Sequence, residues 1–172
     1  MDEKIVVRKE KARDIEAVRE VNLRAFGQTQ EADIVDALRR NCPDLLSLVA
    51  VRNKCIVGHI LFSPVTVEGG YGVVQGMGLA PMAVLPEHQR QGIGSALVRK
   101  GIARLEKKGC PFVVVLGHAE YYPRFGFKRA SLHGIRCEWE VPDEVFRILP
   151  LQPSRLQGVS GPARYRPEFG EA

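Results

Sequence analysis

The order of hydrophobic and polar residues in the first half of the chain predicts two helices followed by antiparallel strands. After a short apolar strand at residues 5–8, hydrophobic residues recur at helical spacing from Ala12 to about Phe26, and Gly27 is a typical helix stop. A second, shorter helix begins behind Thr29, a candidate N-cap residue. The segments that follow are apolar or alternating, and they predict an antiparallel meander at residues 47–52, 55–67 and 73–85.

The second half of the chain has the pattern of a strand–helix–strand crossover. A helix is predicted from about Gly92 to Lys108, where Gly109 and Pro111 end it. The continuous apolar run at residues 112–116 is typical of a strand buried on both faces, and the short connections imply a right-handed parallel crossover. A short helix is predicted at residues 120–125, a strand from residue 128, and two further extended stretches at 146–149 and 164–165. The sum is an α/β fold with a mixed sheet of six or seven strands and helices on both faces.

The loop before the long helix carries the first candidate chemistry. Its sequence is Gln89-Arg90-Gln91-Gly92-Ile93-Gly94-Ser95, and its last amides are the unpaired donors of a helix N-terminus. Because the two glycines have no Cβ, an anion can approach this backbone closely, and the helix dipole favours negative charge there. Arg90 and Arg99 could add positive charge. The loop suits a phosphate or pyrophosphate, although a tight turn without a ligand has the same glycine spacing.

Two common nucleotide-binding loops do not fit this segment. A dinucleotide-binding Gly-x-Gly-x-x-Gly loop needs a third glycine where this chain has Leu97, and an acidic residue after a second strand, which is missing. A triphosphate-binding loop needs Gly-x-x-x-x-Gly-Lys followed by Ser or Thr, and this motif does not occur in the sequence.

Two neighbouring segments add to the signal of the loop. Pro81 interrupts the preceding strand and has no N–H for a ladder bond, which indicates a bulge or an opening, or else an edge strand. A bulge would leave backbone groups of residues 82–84 available to another partner. After the buried strand, Tyr122 begins a Tyr-x-x-x-Gly-Phe stretch, in which Gly126 is a turn residue and Phe127 a core residue. Tyr122 could extend a phenol into a cleft or serve only in packing.

In this order, the three features resemble the GNAT superfamily of acetyl-CoA-dependent N-acetyltransferases. The similarity lies in the Gln/Arg-x-x-Gly-x-Gly/Ala loop, in Leu-x-Pro-x-Ala-Val-x-Pro from Leu79 to Pro86, and in Tyr-Tyr-x-Arg-Phe-Gly-Phe. It looks closest to the YhbS-type subgroup and extends over the whole chain. It implies a GNAT-like fold with a splay between the fourth and fifth strands, in a single domain over residues 1–172. The cofactor-binding core would be residues 73–130, and residues 131–172 would shape the acceptor side.

The resemblance also implies roles for individual residues. The pyrophosphate of acetyl-CoA, the cosubstrate, would rest on the loop amides, and its pantetheine arm would pair with the opened strand. The cofactor-binding residues would be Met82, Ala83, Val84, Gln89, Arg90, Gln91, Gly92, Ile93, Gly94 and Ser95. A primary amine of a small molecule or a protein would attack the thioester directly in a ternary complex. The Val84 N–H would stabilise the oxyanion, and Tyr122 would be the general acid toward the thiolate.

The base and the acceptor are less well defined. His118, at the end of the buried strand, is the candidate base, with Glu31, Glu120 and a water chain as alternatives. Many family members have an asparagine after the fifth strand that reaches the cofactor, and none stands beside His118, so that contact is not assigned. Trp139, Phe146 and Tyr165 are expected to shape the acceptor pocket. Acidic residues that could attract a polyamine or a basic peptide, or could simply be solvated, are Glu138, Glu140, Asp143 and Glu144.

The composition of the chain limits the kinds of molecule that we expect it to bind. The chain has 172 residues, 45% of them hydrophobic and 26% charged, as in ordinary globular domains. A net charge of +5 favours an anionic ligand, but basic and acidic residues are interspersed, so we expect no nucleic-acid partner. No apolar run is long enough for a membrane helix, and the start Met1-Asp2-Glu3-Lys4 lacks a signal-peptide core. We therefore expect no membrane partner and a cytoplasmic location.

Four widely spaced cysteines indicate reduced, buried thiols rather than disulfides or a zinc site: Cys42, Cys55, Cys110 and Cys137. We expect no metal, and we allow for a homodimer. The alternative to an enzyme is a non-catalytic acyl-CoA-binding sensor or regulatory module of the same fold. The glycine loop fits both functions, and Tyr122 favours the enzyme.

Overall fold

Three α-helices and nine strands form the regular structure of residues 4–170, the part of the chain that the computed structural model describes. The helices are α1 (Ile15–Phe26), α2 (Gln30–Asn41) and α3 (Ile93–Lys107). The strands are β1 (Val6–Lys9), β2 (Leu46–Arg52), β3 (Cys55–Gly69), β4 (Gly72–Val84), β5 (Phe112–Leu116), β6 (Lys128–Arg129), β7 (Ile135–Cys137), β8 (Phe146–Pro150) and β9 (Gly161–Arg164). Residues 1–3, in the segment without a signal-peptide core, lie outside the described part.

These elements are divided between two compact units. The first unit contains the residues up to Phe62, residues 81–101 and the residues from Glu168, and the second contains residues 63–80 and 102–167. β3, β4 and α3 each run through both units, whereas α1, α2, β1 and β2 belong to the first and β5 to β9 to the second. Each unit therefore has packing of its own.

In the first unit, helices cover both faces of the sheet. β1, β2 and β3 pair antiparallel, and successive residues of β3 point to opposite faces. On one face, a Cβ at Gly58 would lie only 3.1 Å from the side chain of Ile93 in α3, so helix and strand are in close contact. On the other face, Leu61 belongs to a buried cluster with residues of both α1 and α2: Val18, Ile34, Val35 and Leu38. The predicted placement of helices on both faces is confirmed.

In the second unit, β5 is the central strand. It pairs parallel with β4, with Met77 opposite Val113 and Leu79 opposite Val115, and antiparallel with β8 along its whole length. Phe112 and the three valines after it are at most 1% exposed, which confirms the strand buried on both faces. The short strands complete the unit: β6 pairs with β8, β9 with β3 and β7 with β9. The mixed sheet with a parallel β4–β5 pair is thus present.

β4 continues beyond its pairing with β5. The last paired residues are Leu79 and Val115, while β4 itself runs through Pro81 to Val84. Pro81 therefore follows the last position at which β5 takes ladder bonds from β4, so its missing N–H interrupts none of them. The pairing ends where the sequence predicts that these two strands separate.

The C-terminal part differs most from the sequence-based expectations. Nine strands are present instead of six or seven. β6 begins at the predicted residue 128 and β9 overlaps the stretch predicted at residues 164–165, whereas β7 has three residues, too few to show a hydrophobic period. The helix predicted at residues 120–125 is a 3₁₀ turn at Tyr122–Phe125. At the other end of the chain, Thr29 does stand at the N-cap of α2, but its side chain makes no capping hydrogen bond because its backbone is already helical.

The cysteines differ in exposure. All four are free thiols, but only Cys42 is buried, whereas Cys55 is exposed at the start of β3 and corrects the expectation of buried thiols. Within residues 4–170, no group of three or more His, Cys, Asp or Glu side chains could hold a metal ion. In the same part of the chain, no helix has the length and apolarity to cross a membrane.

A buried histidine in the first unit was not predicted. His59 is fully buried, with Asn22 Nδ2 at 3.1 Å from its Nδ1 and Ser47 Oγ at 2.9 Å from its Nε2. Because Asn22 Nδ2 also donates to Val18 O at 3.0 Å, His59 Nδ1 must accept, and the ring proton is on Nε2, toward Ser47. Burial, with a smaller contribution from Arg39, lowers the pKa of His59 to about 3. His59 is therefore neutral, and its Nε2 cannot take a proton from Ser47 as a catalytic base would.

We expect His59 to make the protein less stable in mild acid. Its pKa is about 3 when folded and near 6.5 when unfolded, so between these values only the unfolded chain binds the proton. The contribution of neutral His59 to stability is fully present above about pH 6.5. Below that pH, the free energy of unfolding falls by about 1.4 kcal/mol for each pH unit, so at pH 5 it is about 2 kcal/mol lower than at pH 7. Urea unfolding at pH 7 and pH 5 measures this decline. His59→Gln should lack it, and an equal decline in both proteins would contradict the assignment.

Candidate functional site

The candidate residues 82–95 form one continuous segment of the first unit. β4 ends at Val84, a 3₁₀ turn follows at Pro86–His88, and α3 begins at Ile93. Residues 89–92, between this turn and the helix, are all exposed. The segment has the strand–loop–helix order that the sequence predicts for an anion-binding loop.

The end of β4 presents polar backbone groups on the edge away from β3. The Leu85 N–H donates to Val57 O of β3 at 2.9 Å. Because backbone groups alternate from side to side along a strand, the N–H and C=O of Val84 point away from β3. The same alternation turns Met82 away from β3 and Ala83 toward it. Of the three predicted residues, Met82 and Val84 can therefore offer backbone hydrogen bonds to a ligand.

The loop has a left-handed backbone and an open side. Arg90 has a φ of +62° and Gly92 a φ of +83°, and a Cβ at Gly92 would meet nothing within 4 Å. The Ala96 N–H donates to Gly92 O at 3.0 Å, which starts the helical ladder. The amides of Ile93 and Gly94 therefore belong to the first turn of α3, where N–H groups have no acceptor inside the helix. Open space beside such amides suits an anion.

Side chains fix the loop within the first unit. Gln89 Nε2 donates to Val84 O at 3.0 Å, which closes the loop onto the end of β4. Gln91 is held from two sides, because its Oε1 accepts from Arg52 Nη1 at 2.6 Å and its Nε2 donates to Glu87 O at 3.4 Å. The side chains of these two residues thus bind the protein, which leaves their backbone amides as the groups predicted to bind a cofactor. Sequence reasoning missed Arg52 because it lies 39 positions before Gln91 and belongs to another element.

The remaining loop residues differ in what they can offer a ligand. The side chain of Ile93 is 2% exposed and belongs to the core, so only its backbone is available. Arg90 is exposed at the open side, and its guanidinium forms no ion pair with the residues that the structure describes. Ser95 lies in the first turn of α3. The loop thus combines helix amides with one available positive charge.

Tyr122, in the second unit, is the other main candidate residue. It is only 7% exposed, and burial, with a smaller contribution from Tyr121, raises the pKa of Tyr122 to about 12. Its ring packs edge-on against Tyr121 and against the buried Phe127, with centroids 5.0 Å and 5.6 Å away. The phenol is therefore protonated at neutral pH and held in a fixed orientation. These properties fit a hydrogen-bond or proton donor.

Gly117 provides the surface against which Tyr122 packs. A Cβ at Gly117 would overlap the Tyr122 ring, and the Gly117 N–H donates to Val145 O at 3.0 Å. We expect Gly117→Ala to displace the ring, to lower stability by about 1–3 kcal/mol and to reduce turnover. Urea unfolding and turnover measurements test this. Gly72→Ala is the control, because a Cβ there would lie 3.6 Å from Val159, an ordinary contact. Equal behaviour of the two variants would contradict the prediction.

His118 and the alternative bases occupy different places. His118 is exposed, and its carbonyl accepts from the Tyr121 N–H at 3.2 Å. It lines an open cavity of about 510 Å³ in the second unit together with Ala119, Glu120, Tyr121 and Arg124. Glu31 lies in the first unit at the start of α2, where its carboxylate accepts from Gln28 Nε2 at 2.8 Å. His118 and Glu120 therefore share a cavity, and Glu31 has a local partner.

The acidic residues of the C-terminal part are not uniformly solvated. Two of them form ion pairs: Glu138 with Arg164 at 3.7 Å, and Asp143 with Arg129 at 3.4 Å. Glu140 and Asp143 line a cavity of about 300 Å³ that also has Trp139 and Phe146 in its wall. Trp139 packs against Tyr165 with ring centroids 5.1 Å apart. The segment thus holds an aromatic cavity with carboxylates rather than a purely solvated loop.

Comparison with known proteins relates the chain to one family. The sequence profile of the acetyltransferase (GNAT) family matches residues 15–127. The uncharacterized N-acetyltransferase YjhQ of Escherichia coli K12 is 41% identical over 153 residues, and the match covers 84% of each chain.

Two solved structures are similar over almost the whole chain. YhbS, a GNAT family N-acetyltransferase from Escherichia coli solved in complex with CoA, is 33% identical with a TM-score of 0.92, covering 99% of this chain and 94% of that one. A GNAT family acetyltransferase from Brucella melitensis, solved in complex with acetyl-CoA, is 35% identical with a TM-score of 0.80, covering 97% of this chain and 99% of that one.

Proposed function

Because the chain belongs to the GNAT family of N-acetyltransferases, we propose that it moves an acetyl group from acetyl-CoA to a primary amine by direct attack in a ternary complex. The observation that carries this proposal is the open, left-handed backbone at Gly92 immediately before α3. A pyrophosphate fits the amides of such a helix start. The relatives solved with CoA and with acetyl-CoA support the choice of cosubstrate.

We assign the pyrophosphate to the loop at residues 89–95. The amides of Gly92, Ile93 and Gly94 would donate to it, and Arg90 would add positive charge. Gln89 and Gln91 would contribute through their backbone, since their side chains are already bonded to Val84, Arg52 and Glu87. Ser95 completes the first turn of the helix.

We assign the pantetheine arm and the thioester to the end of β4. Met82 and Val84 would pair with the arm, because their backbone groups point away from β3. The carbonyl of Val84 already accepts from Gln89, so Val84 would offer its N–H alone. That N–H is the proposed donor to the carbonyl oxygen on which negative charge develops during acyl transfer. Ala83 would contact the arm without a hydrogen bond.

The proposed reaction forms a C–N bond and breaks a C–S bond with no acyl-enzyme. The lone pair of the neutral amine attacks the thioester carbon, and Val84 stabilises the oxygen as it becomes negative. The C–S bond then breaks, and its electron pair remains on the sulfur. An aliphatic amine has a pKa near 10.4, so the attacking nitrogen must lose a proton on the enzyme. We assign this proton to His118 or to a water beside it. The nitrogen gives up a second proton as the C–S bond breaks, and that proton ends on the sulfur, so the products are the amide and the CoA thiol.

Tyr122 would donate a hydrogen bond to the departing sulfur. A pKa of about 12 keeps the phenol protonated, but it is higher than the value near 8.5 of an ordinary thiol. Complete transfer of the proton to a thiolate is therefore uphill. We infer that Tyr122 acts as general acid mainly by a hydrogen bond that strengthens as charge develops on the sulfur.

We propose that the whole chain forms one transferase domain. Residues 73–130 would hold the cosubstrate, and residues 131–172 would shape the acceptor side. The cavity of about 300 Å³ beside Trp139 and Glu140 is at the lower end of small-molecule pockets, which span roughly 300–1,000 Å³. Its aromatic wall and its carboxylates suit an amine-bearing ligand.

Steady-state kinetics with a panel of primary amines test the proposal. We expect release of CoA thiol that depends on an amine, with intersecting double-reciprocal lines when acetyl-CoA and amine are varied together. Incubation with acetyl-CoA alone should leave the intact mass of the protein unchanged. Parallel lines with an acetylated protein would contradict direct transfer. Binding of acetyl-CoA without turnover on any amine would contradict the enzyme.

A further inference from the structure

Arg52 connects the hairpin of β2 and β3 to the loop before α3, all within the first unit. It is the last residue of β2 and pairs with Cys55 across a two-residue turn. In that turn Asn53 and Lys54 have φ values of 51° and 64°, which is the left-handed geometry of a tight type I′ hairpin. The backbone of Arg52 is therefore fixed by a rigid element.

The guanidinium of Arg52 makes two hydrogen bonds to the loop from one nitrogen. Nη1 lies 3.0 Å from Nδ1 of His88 and 2.6 Å from Oε1 of Gln91. Each of its two hydrogens serves one acceptor, so His88 Nδ1 must be unprotonated. Nε of Arg52 is buried and has no hydrogen-bond partner within residues 4–170. The hydrogen bonds that hold the Arg52 side chain to the loop therefore come from Nη1.

These two contacts lie on either side of the exposed residues 89 and 90. His88 ends the 3₁₀ turn after β4, and Gln91 directly precedes Gly92. Gln91 is bound a second time, to Glu87 O. By holding His88 and Gln91, Arg52 fixes both ends of the stretch whose left-handed backbone leads into the amides of α3.

We propose that Arg52 is a positioning residue for the acetyl-CoA pyrophosphate, acting through His88 and Gln91 without touching the cosubstrate. This inference rests on the proposed function. Without the two bonds, the loop must be ordered by the cosubstrate when it binds, and that ordering weakens affinity. The acyl-transfer step itself is made by other residues, so kcat should change little.

The test combines acetyl-CoA affinity with hydrogen exchange of the free protein. Arg52→Ala should weaken acetyl-CoA binding about tenfold, as expected for the loss of hydrogen bonds of ordinary strength. It should raise KM for acetyl-CoA with kcat nearly unchanged, and it should speed amide exchange at residues 86–92 in the absence of ligand. Arg52→Lys, which can still donate, should recover part of the affinity. Arg155→Ala is the control, because Arg155 is exposed and its Nη1 makes two long hydrogen bonds, to Gly109 O at 3.5 Å and to Gln152 Oε1 at 3.4 Å.

A double-mutant cycle separates positioning from a general structural role. In a His88→Ala, Gln91→Ala background, adding Arg52→Ala should cause no further loss of affinity, because its partners are already gone. If Arg52→Ala binds acetyl-CoA and exchanges like wild type, or if its effect is undiminished in that background, the positioning role is wrong while the proposed function stands. If wild type itself binds no acetyl-CoA, the proposed function fails first, and this inference fails with it.

Discussion

Replacing Gly92 with aspartate is expected to weaken acetyl-CoA binding by at least about 100-fold, which corresponds to about 2.7 kcal/mol. Gly92 has a φ of +83°, a conformation that costs an L-residue about 1–2 kcal/mol. Its missing Cβ faces open space, so the new carboxylate would project from the loop into the region assigned to the pyrophosphate. Like charges there oppose binding. Thermal unfolding with increasing acetyl-CoA measures the effect, since a ligand at 100 times its Kd stabilises by about 2.7 kcal/mol.

Gly27→Asp is the matched control for this substitution. Gly27 follows α1 with a φ of +69°, and a Cβ there would also meet nothing within 4 Å. The two variants therefore have the same change of residue, a similar backbone strain and the same absence of steric overlap. We expect both to lose some stability and only Gly92→Asp to lose the stabilisation by acetyl-CoA. If both variants respond to acetyl-CoA as wild type does, the pyrophosphate is not bound at this loop.

Tyr122→Phe is expected to lower kcat about 100-fold, at the lower end of the usual range for general acid catalysis. The phenol is a weak acid with a pKa of about 12, so its contribution is mainly a hydrogen bond to the sulfur. The ring packing against Tyr121 and Phe127 should survive, because phenylalanine keeps the ring. KM for acetyl-CoA should therefore change little. Steady-state kinetics of the two proteins give both values.

Tyr121→Phe, at the neighbouring position, is the control for Tyr122→Phe, and we expect its kcat to stay close to that of wild type.

The high pKa of Tyr122 also predicts a pH dependence. Because the phenol loses its proton only near pH 12, Tyr122 should cause no loss of activity on the alkaline side below about pH 11. A Tyr122→Phe enzyme with wild-type kcat would remove Tyr122 from the reaction. If wild type loses activity at alkaline pH and Tyr122→Phe does not, the phenol loses its proton at a lower pH than its burial implies.

Features of the fold with a strong local pattern could be predicted from the sequence. The strand Phe112–Leu116 agrees with its apolar run residue for residue, because a strand buried on both faces needs such a run. The start of α3 at Ile93 agrees with the helix predicted from about Gly92. The three-residue strand β7 has no such pattern. It forms because β9 offers it an edge to pair with, and a sequence of three residues does not record that edge.

For the candidate site, the sequence motifs predict positions but not the contacts that the residues at those positions make. Gly92 and Tyr122 stand out because glycine and tyrosine recur at fixed spacing in a motif. Arg52 and Gly117 do not stand out, since their importance depends on residues that folding brings to them. The motif assigns Gln89 and Gln91 to a ligand through their backbone amides, and it does not predict that their side chains bind the protein. A motif therefore proposes residues for a site, but it does not predict the contacts that they make with distant parts of the chain.

Calorimetric titration of the wild-type protein with acetyl-CoA decides whether this chain uses the cosubstrate proposed for it. We expect one binding event per chain in the micromolar range, the lower part of the range usual for enzyme substrates. The same titration of Gly92→Asp should give no measurable heat, and that of Gly27→Asp should match wild type. A wild-type protein that is folded by circular dichroism and cooperative in urea, yet gives no binding heat, would contradict acetyl-CoA as the donor and the transferase function with it.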